Sequence, residues 1–151
     1  RGAVEILAQQ AAQRLQGAQV DDRIHGHVLA FNSVAVESDE LQEDASTILP
    51  NLPLAITRTL SSSFHGHLAY LGLSFEQRVE PNDVRDVLAQ AEGLEIESLP
   101  ISLDGVPDRH DVAVSPPSLS PDGAQLALTM MADGLRVGGA LTAVEILKGL
   151  I

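Results

Sequence analysis

The stretch Phe64–Phe75, F-H-G-H-L-A-Y-L-G-L-S-F, constrains the fold more than any other part of the chain. From His67 onward, alternation places His67, Ala69, Leu71, Leu73 and Phe75 on one face, the pattern of a half-buried strand. Gly66 directly precedes it, and glycine lets a chain turn sharply at a sheet end. His67 is therefore expected at the head of the strand, exposed. A histidine there can act as a general base. From periodicity alone, a structural histidine hydrogen-bonded near a strand end is the plainer account.

Helical and extended patterns alternate irregularly around this strand. Residues 3–16 carry Val4, Leu7, Ala8, Ala11 and Leu15 as a helical stripe, with Gly17 as the residue just past the helix end. Val28–Phe31 reads as a short extended piece. Ser38-Asp39-Glu40 opens a second helix with acids in its first turn, and Pro50 bounds it. Leu54–Leu60 reads as a strand, joined to the next by Ser61-Ser62-Ser63 or continuous with it. Pro81-Asn82-Asp83 opens a third helix bearing Val84, Val87, Leu88 and Ala91, closed by Gly93. Leu94–Glu97 reads as an edge strand and Asp111–Val114 as extended. Leu126, Leu128 and Met130 alternate with Ala127, Thr129 and Met131 in a further strand, and a last helix starts near Leu135 or Gly138. Without regular strand–helix–strand units, the class is α+β: a mainly antiparallel or mixed sheet with helices packed on one face.

Composition narrows the chemistry. The 151 residues suffice for a real core, and 44% hydrophobic content argues for folding; aromatics at 3% with no Trp make that core aliphatic. A net charge of −12 leaves no basic patch for nucleic acid or anionic membrane surfaces. Zero cysteines exclude disulfides, zinc–thiolate sites and a cysteine nucleophile within these residues. No apolar run is long enough for a membrane-spanning helix and no signal peptide is visible, so a cytoplasmic location is the expectation. The chain starts Arg1-Gly2-Ala3 without Met and ends on the apolar helical run Leu147–Ile151, which reads as a piece of something longer.

Other candidate motifs weigh less. His25-Gly26-His27 and His65-Gly66-His67 offer four imidazoles, but no further ligand has helpful spacing, and no metal is expected. Gly134, Gly138 and Gly139 lack phosphate-loop spacing, and close helix packing is the better account of them. The acidic run Glu37–Asp44 reads as a solvated helix face, and Ser61–Ser63 lacks a nucleophile elbow.

Four stretches, in order, resemble the aspartate-semialdehyde dehydrogenase family. Gly2-Ala3-Val4 through Leu7, Gln10 and Leu15 is similar to the helix after the family's S-G-A-G turn. His27–Asn32 is similar to its H-x-I-A-F-N. Gly66-His67 through Glu76, then Val79-Glu80-Pro81 and the helix to Gly93, resembles its G-H strand and following V-S-P helix. Ala132–Leu141 resembles its closing A-D-N-L-R-x-G-A-A-L. The resemblance implies the C-terminal half of such a protein. Residues 1–133 would form the substrate and dimerisation domain, and 134–151 a final helix packing on a nucleotide-binding domain that precedes Arg1 and carries the catalytic cysteine. It implies NADP for the full-length protein with none held by this half alone, a homodimer, a small semialdehyde or acyl substrate, and His67 as the acid/base of thiohemiacetal chemistry.

Departures from the pattern carry as much weight. The family's substrate-clamping arginine falls on Leu60, with Arg58 two residues earlier on the same strand face as the substitute; leucine cannot make a bidentate carboxylate contact. The E-T-x-K-I-L helix aligns with Asp44–Leu49, which puts Asp44 in the substrate-binding helix and Thr47 at the lysine. The family's A-V-Q becomes Ala143-Val144-Glu145, so Glu145 places a carboxylate where an amide would face the cofactor. An anionic substrate would meet an acidic pocket, and ordinary catalysis should suffer. This pattern, with the G-G-A-L segment, looks like the Usg branch of semialdehyde-dehydrogenase-like paralogues. An active dehydrogenase using Arg58 and Asp44 in shifted roles, and a purely structural dimerisation module, are the alternatives; the acetylglutamyl-phosphate reductases share the architecture but fit less well around the histidine.

Overall fold

The computed structural model describes residues 2–22 and 26–150. The chain divides into two compact units, residues 1–64 and 65–151.

In the first unit, helix α1 (Gly2–Leu15) ends where Gly17, at φ +68°, donates its N–H to the Arg14 carbonyl. The expected apolar stripe is only partly used. Leu7 is buried and Ala11 half-buried, but Val4 and Leu15 are exposed, and Gln10 is fully buried, at 0% exposure. Gln10 Nε2 donates to the carbonyls of Asp21 (2.7 Å) and His27 (3.3 Å), and its Oε1 accepts from the N–H of Leu29 (3.0 Å) and Ala30 (3.3 Å). A buried amide with both ends engaged avoids the desolvation cost of an unpaired polar group. This explains why Val28–Phe31 is not the extended piece the sequence suggested: it is a bend, with Phe31 at φ +56°, whose N–H groups bond a side chain instead of a strand. The strand comes next, β1 (Ser33–Val36), antiparallel to β2 (Arg58–Ser61) with Val34 opposite Leu60 and Val36 opposite Arg58. Leu7, Leu29 and Ala30 form the apolar cluster, with Ala11, Val34 and Leu60 packed against it. Helix α2 (Asp39–Ile48) exposes Asp39, Glu40, Glu43 and Asp44, the solvated acidic face expected. Ser38 does not cap it through its side chain; its hydroxyl donates to the Ile56 carbonyl at 2.9 Å.

The second unit is built on a five-stranded mixed sheet. Strand β3 (His67–Ser74) pairs antiparallel with β7 (Gln125–Ala132), β7 with β5 (Val112–Val114), and β5 in parallel with the edge strand β4 (Leu94–Ile96); β6 (Ser118–Leu119) also pairs with β7. The expected strands 54–60 and 64–75 are thus separate strands in separate sheets. Alternation along β7 sorts its side chains as anticipated. Leu126 and Leu128 join Val114 in one cluster, packed by Leu71 and Leu73 of β3, by Phe75 just after it and by Val84 and Leu88 of helix α3 (Pro81–Gln90). Met131 points to the other face, with Val106, Ala113, Ile101 and Leu103. Each fully buried aliphatic side chain here contributes about 1.5–3 kcal/mol. Beyond β7 the chain enters one π-helical turn, Arg136–Ala140, and then helix α4 (Leu141–Leu150). No helix among the described residues is long and apolar enough to cross a membrane.

Candidate functional site

Gly66 sets the position of His67. Its φ of +76° suits glycine, and a Cβ there would stand 3.0 Å from Leu103 Cδ2 and 3.1 Å from the Ala132 carbonyl oxygen. The chain therefore turns tightly against the end of β7 and enters β3 with His67 opposite Ala132. The turn leaving β7, Asp133-Gly134-Leu135, lies beside the imidazole: a methyl group at Gly134 would overlap His67 Nε2 and Cδ2.

That turn is pinned by polar contacts. Asp133 accepts the N–H of Leu135 on Oδ1 (3.0 Å) and of Asp108 on Oδ2 (3.2 Å). Against burial, which pushes it up, the N–H groups of Leu135, Asp108 and Arg136 hold the Asp133 carboxyl below its ordinary range. The Arg136 guanidinium pairs with the Asp108 carboxylate, and its Nη1 donates to His110 Nε2 at 3.0 Å. Asp108 itself sits at φ +71°, an uncommon conformation for a residue other than glycine.

His67 is exposed, and among the described residues its ring has no hydrogen-bonding partner. The expectation of a histidine tied up at a strand end is not met. An exposed, unengaged imidazole can accept and return a proton, the requirement for acid/base work. Two shallow clefts of this unit, about 360 Å³ around Arg85, Ile96 and Glu97 and about 500 Å³ around Ser74, Ser118 and Gln125, do not include it.

A second polar cluster contrasts with this. Arg109 donates from Nη2 to Glu95 (2.7 Å), from Nη1 to Glu97 (2.5 Å) and from Nε to Asp111 (2.7 Å). The bonds to Asp111 and Glu97 raise the already high guanidinium pKa, and the Arg109 bond lowers that of Asp111. Hydrogen bonding to Asp111 and its charge push Glu95 up. Every nitrogen of the fork is engaged, so this group ties β4 to the segment entering β5.

The remaining sequence candidates lie apart from His67 along the chain. Arg58 on β2 and Asp44 on α2 are exposed members of the first unit, and no ion pair joins them among the described residues. Leu60 packs on the Leu7–Leu29–Ala30 cluster, and the Thr47 hydroxyl donates back to the Glu43 carbonyl at 2.9 Å. Glu145 is exposed on α4. His25 lies outside the described residues, and among those described no group of three or more His, Cys, Asp or Glu side chains gathers as a metal site. The glycine-rich segment needs a correction. Gly138 faces open space and Gly134 accommodates His67, so neither serves close helix packing. Asp133, Arg136 and Asp108, which fix the turn, carry no signal in local periodicity.

No family model matches the chain. Over its whole length it is 27% identical to a USG-1 protein homolog of Azotobacter vinelandii, covering 50% of that protein. The structure superposes on a probable aspartate-semialdehyde dehydrogenase of Pseudomonas aeruginosa with a TM-score of 0.86 at 23% identity, covering 99% of this chain and 50% of that one. An aspartate semialdehyde dehydrogenase II of Vibrio cholerae, complexed with ASA, gives 0.84 at 21% identity over 98% and 49% of the two chains. The fold is that of half an aspartate-semialdehyde dehydrogenase. The chain spans about half the length of the curated relative it matches, and the resemblance read from the sequence holds.

Proposed function

We propose that this chain is the C-terminal substrate and dimerisation half of a Usg-type semialdehyde-dehydrogenase homologue, with His67 as its acid/base group and impaired activity on the ordinary semialdehyde substrate. Two separate observations carry the reading: His67 of the second unit is unengaged, and Leu60 of the first unit is built into an apolar cluster. A carboxylate clamp at position 60 would need a charge where the fold uses a methyl-rich side chain, and leucine offers no donor. Leu60→Arg is therefore expected to destabilise by about 2–4 kcal/mol without raising turnover, read by urea unfolding and by rate.

NADP belongs to this reading only through the full-length protein. Among the described residues no Gly-rich loop cradles a phosphate, and the exposed Glu145 carboxylate would repel one. These residues do not fit the cofactor by themselves, and the chemistry assigned to this chain runs through His67 alone. Homodimer formation is supported by the exposed apolar side chains Leu68 (41%) and Tyr70 (80%) on the edge strand β3. A monomer by light scattering at micromolar concentration would sink the dimer. The direct test of function is NADP-dependent, phosphate-requiring oxidation of aspartate semialdehyde by the full-length protein and by His67→Ala.

A further inference from the structure

We propose that Gly134 is the positioning residue for His67: it seats the imidazole by having no side chain. Glycine is usually retained for a left-handed backbone, as at Gly66 (φ +76°) and Gly123 (φ +70°), but Gly134 is not among the positive-φ positions. Its φ does not by itself call for glycine. What stands in the way of a side chain is the His67 ring as it sits here, whose Nε2 and Cδ2 occupy the place of a Cβ; the aspartate-semialdehyde dehydrogenase pattern A-D-N-L-R has Asn at this position, so this seat is particular to the present chain. The neighbouring Gly138, with nothing within 4 Å of its would-be Cβ, marks the difference between a glycine that faces space and one that faces a ring.

The backbone around the seat is held on both sides. His67 is held in register opposite Ala132 by the β3–β7 ladder. On the other side, Asp133 fixes the turn through the Leu135 and Asp108 N–H groups, and the Arg136–Asp108 pair ties the turn to the 106–110 loop. The backbone cannot retreat cheaply from an added methyl, so the ring must move. A displacement near 1 Å at a reacting nitrogen lowers a rate by about a hundredfold. The inference rests on the acid/base reading of His67 for its catalytic meaning, but the seat itself is testable without turnover.

The test uses the full-length protein with histidine-labelled NMR and thermal unfolding, in wild type, Gly134→Ala, His67→Ala and the double variant. Expected are nuclear Overhauser contacts from Gly134 Hα to the His67 ring, and displaced His67 ring signals in Gly134→Ala with the His110 signals much less affected. Gly134→Ala should also lower the thermal midpoint by about 1–2 °C, a loss that disappears when His67 is already alanine. If Gly134→Ala does not fold, recovery of folding in the double variant supports the seat. Unmoved His67 signals, an equal loss in both backgrounds, or a double variant that also fails to fold would overturn it. Unchanged turnover in His67→Ala would remove the acid/base reading while leaving the seat standing.

Discussion

The His67 end of the second sheet and the Arg109 cluster at β4 and β5 hold the two most elaborate polar environments of that unit, and they are built oppositely. Arg109 has all three guanidinium nitrogens on carboxylates, while among the described residues the His67 ring has no hydrogen-bonding partner. Charge fixes the first, and space fixes the second: three acids hold the arginine, whereas a missing side chain at Gly134 and a left-handed Gly66 hold the histidine. A fully engaged cation is a structural tie. An unengaged imidazole held by its surroundings is available for chemistry.

That contrast breaks most readily at the histidine. His67→Ala is expected to reduce whatever turnover the full-length protein shows by about 10²–10⁴-fold. Its stability should stay within about 0.5 kcal/mol of wild type, because an exposed ring without bonds is lost. A large stability loss with unchanged rate would make the two clusters alike. Arg109→Ala should behave in the reverse way. It leaves Glu95, Glu97 and Asp111 facing one another, with an expected loss of about 2–3 kcal/mol by urea unfolding and no change in turnover per folded molecule. Arg109→Lys keeps the charge without the fork and should lose about 1 kcal/mol, separating geometry from charge.

The smallest effect is in acid. Asp111 sits below its ordinary 3.8, so its contribution is complete above that value and is lost as pH falls through the lower folded one. Glu95 is raised above 4.5, so the folded state takes up its proton first, which favours folding as pH drops. The two opposing shifts predict a stability gap between wild type and Arg109→Ala that is nearly flat from about pH 7 to 5 and closes below about pH 4. A gap that instead widens in acid would show that charge is not what holds the cluster.

The sequence reveals the second unit better than the first, for a physical reason. Alternation in β7 and β3 reports burial directly, since an apolar side chain on every second residue fits one face of a sheet. Thus Leu71, Leu73, Leu126 and Leu128 could be assigned without coordinates. In the first unit the organising residue is Gln10, whose value lies in four bonds to backbone groups 11 to 20 residues away. No periodicity encodes such a contact, which is why the 28–31 bend read as extended. The site divides in the same way. His67 is legible because Gly66 and the strand start are adjacent to it, whereas Gly134 and the Asp133–Asp108–Arg136 tie become visible only once β3 and β7 are in register.

The measurement that bears most directly on the account is the NADP- and phosphate-dependent oxidation of aspartate semialdehyde by the full-length protein, wild type against His67→Ala. With leucine in an apolar cluster at position 60, the protein should show turnover at background or only weakly above it, and any such turnover should fall on substitution. Robust turnover in wild type would contradict the eroded substrate site, and robust turnover retained in His67→Ala would contradict the role of the histidine as well.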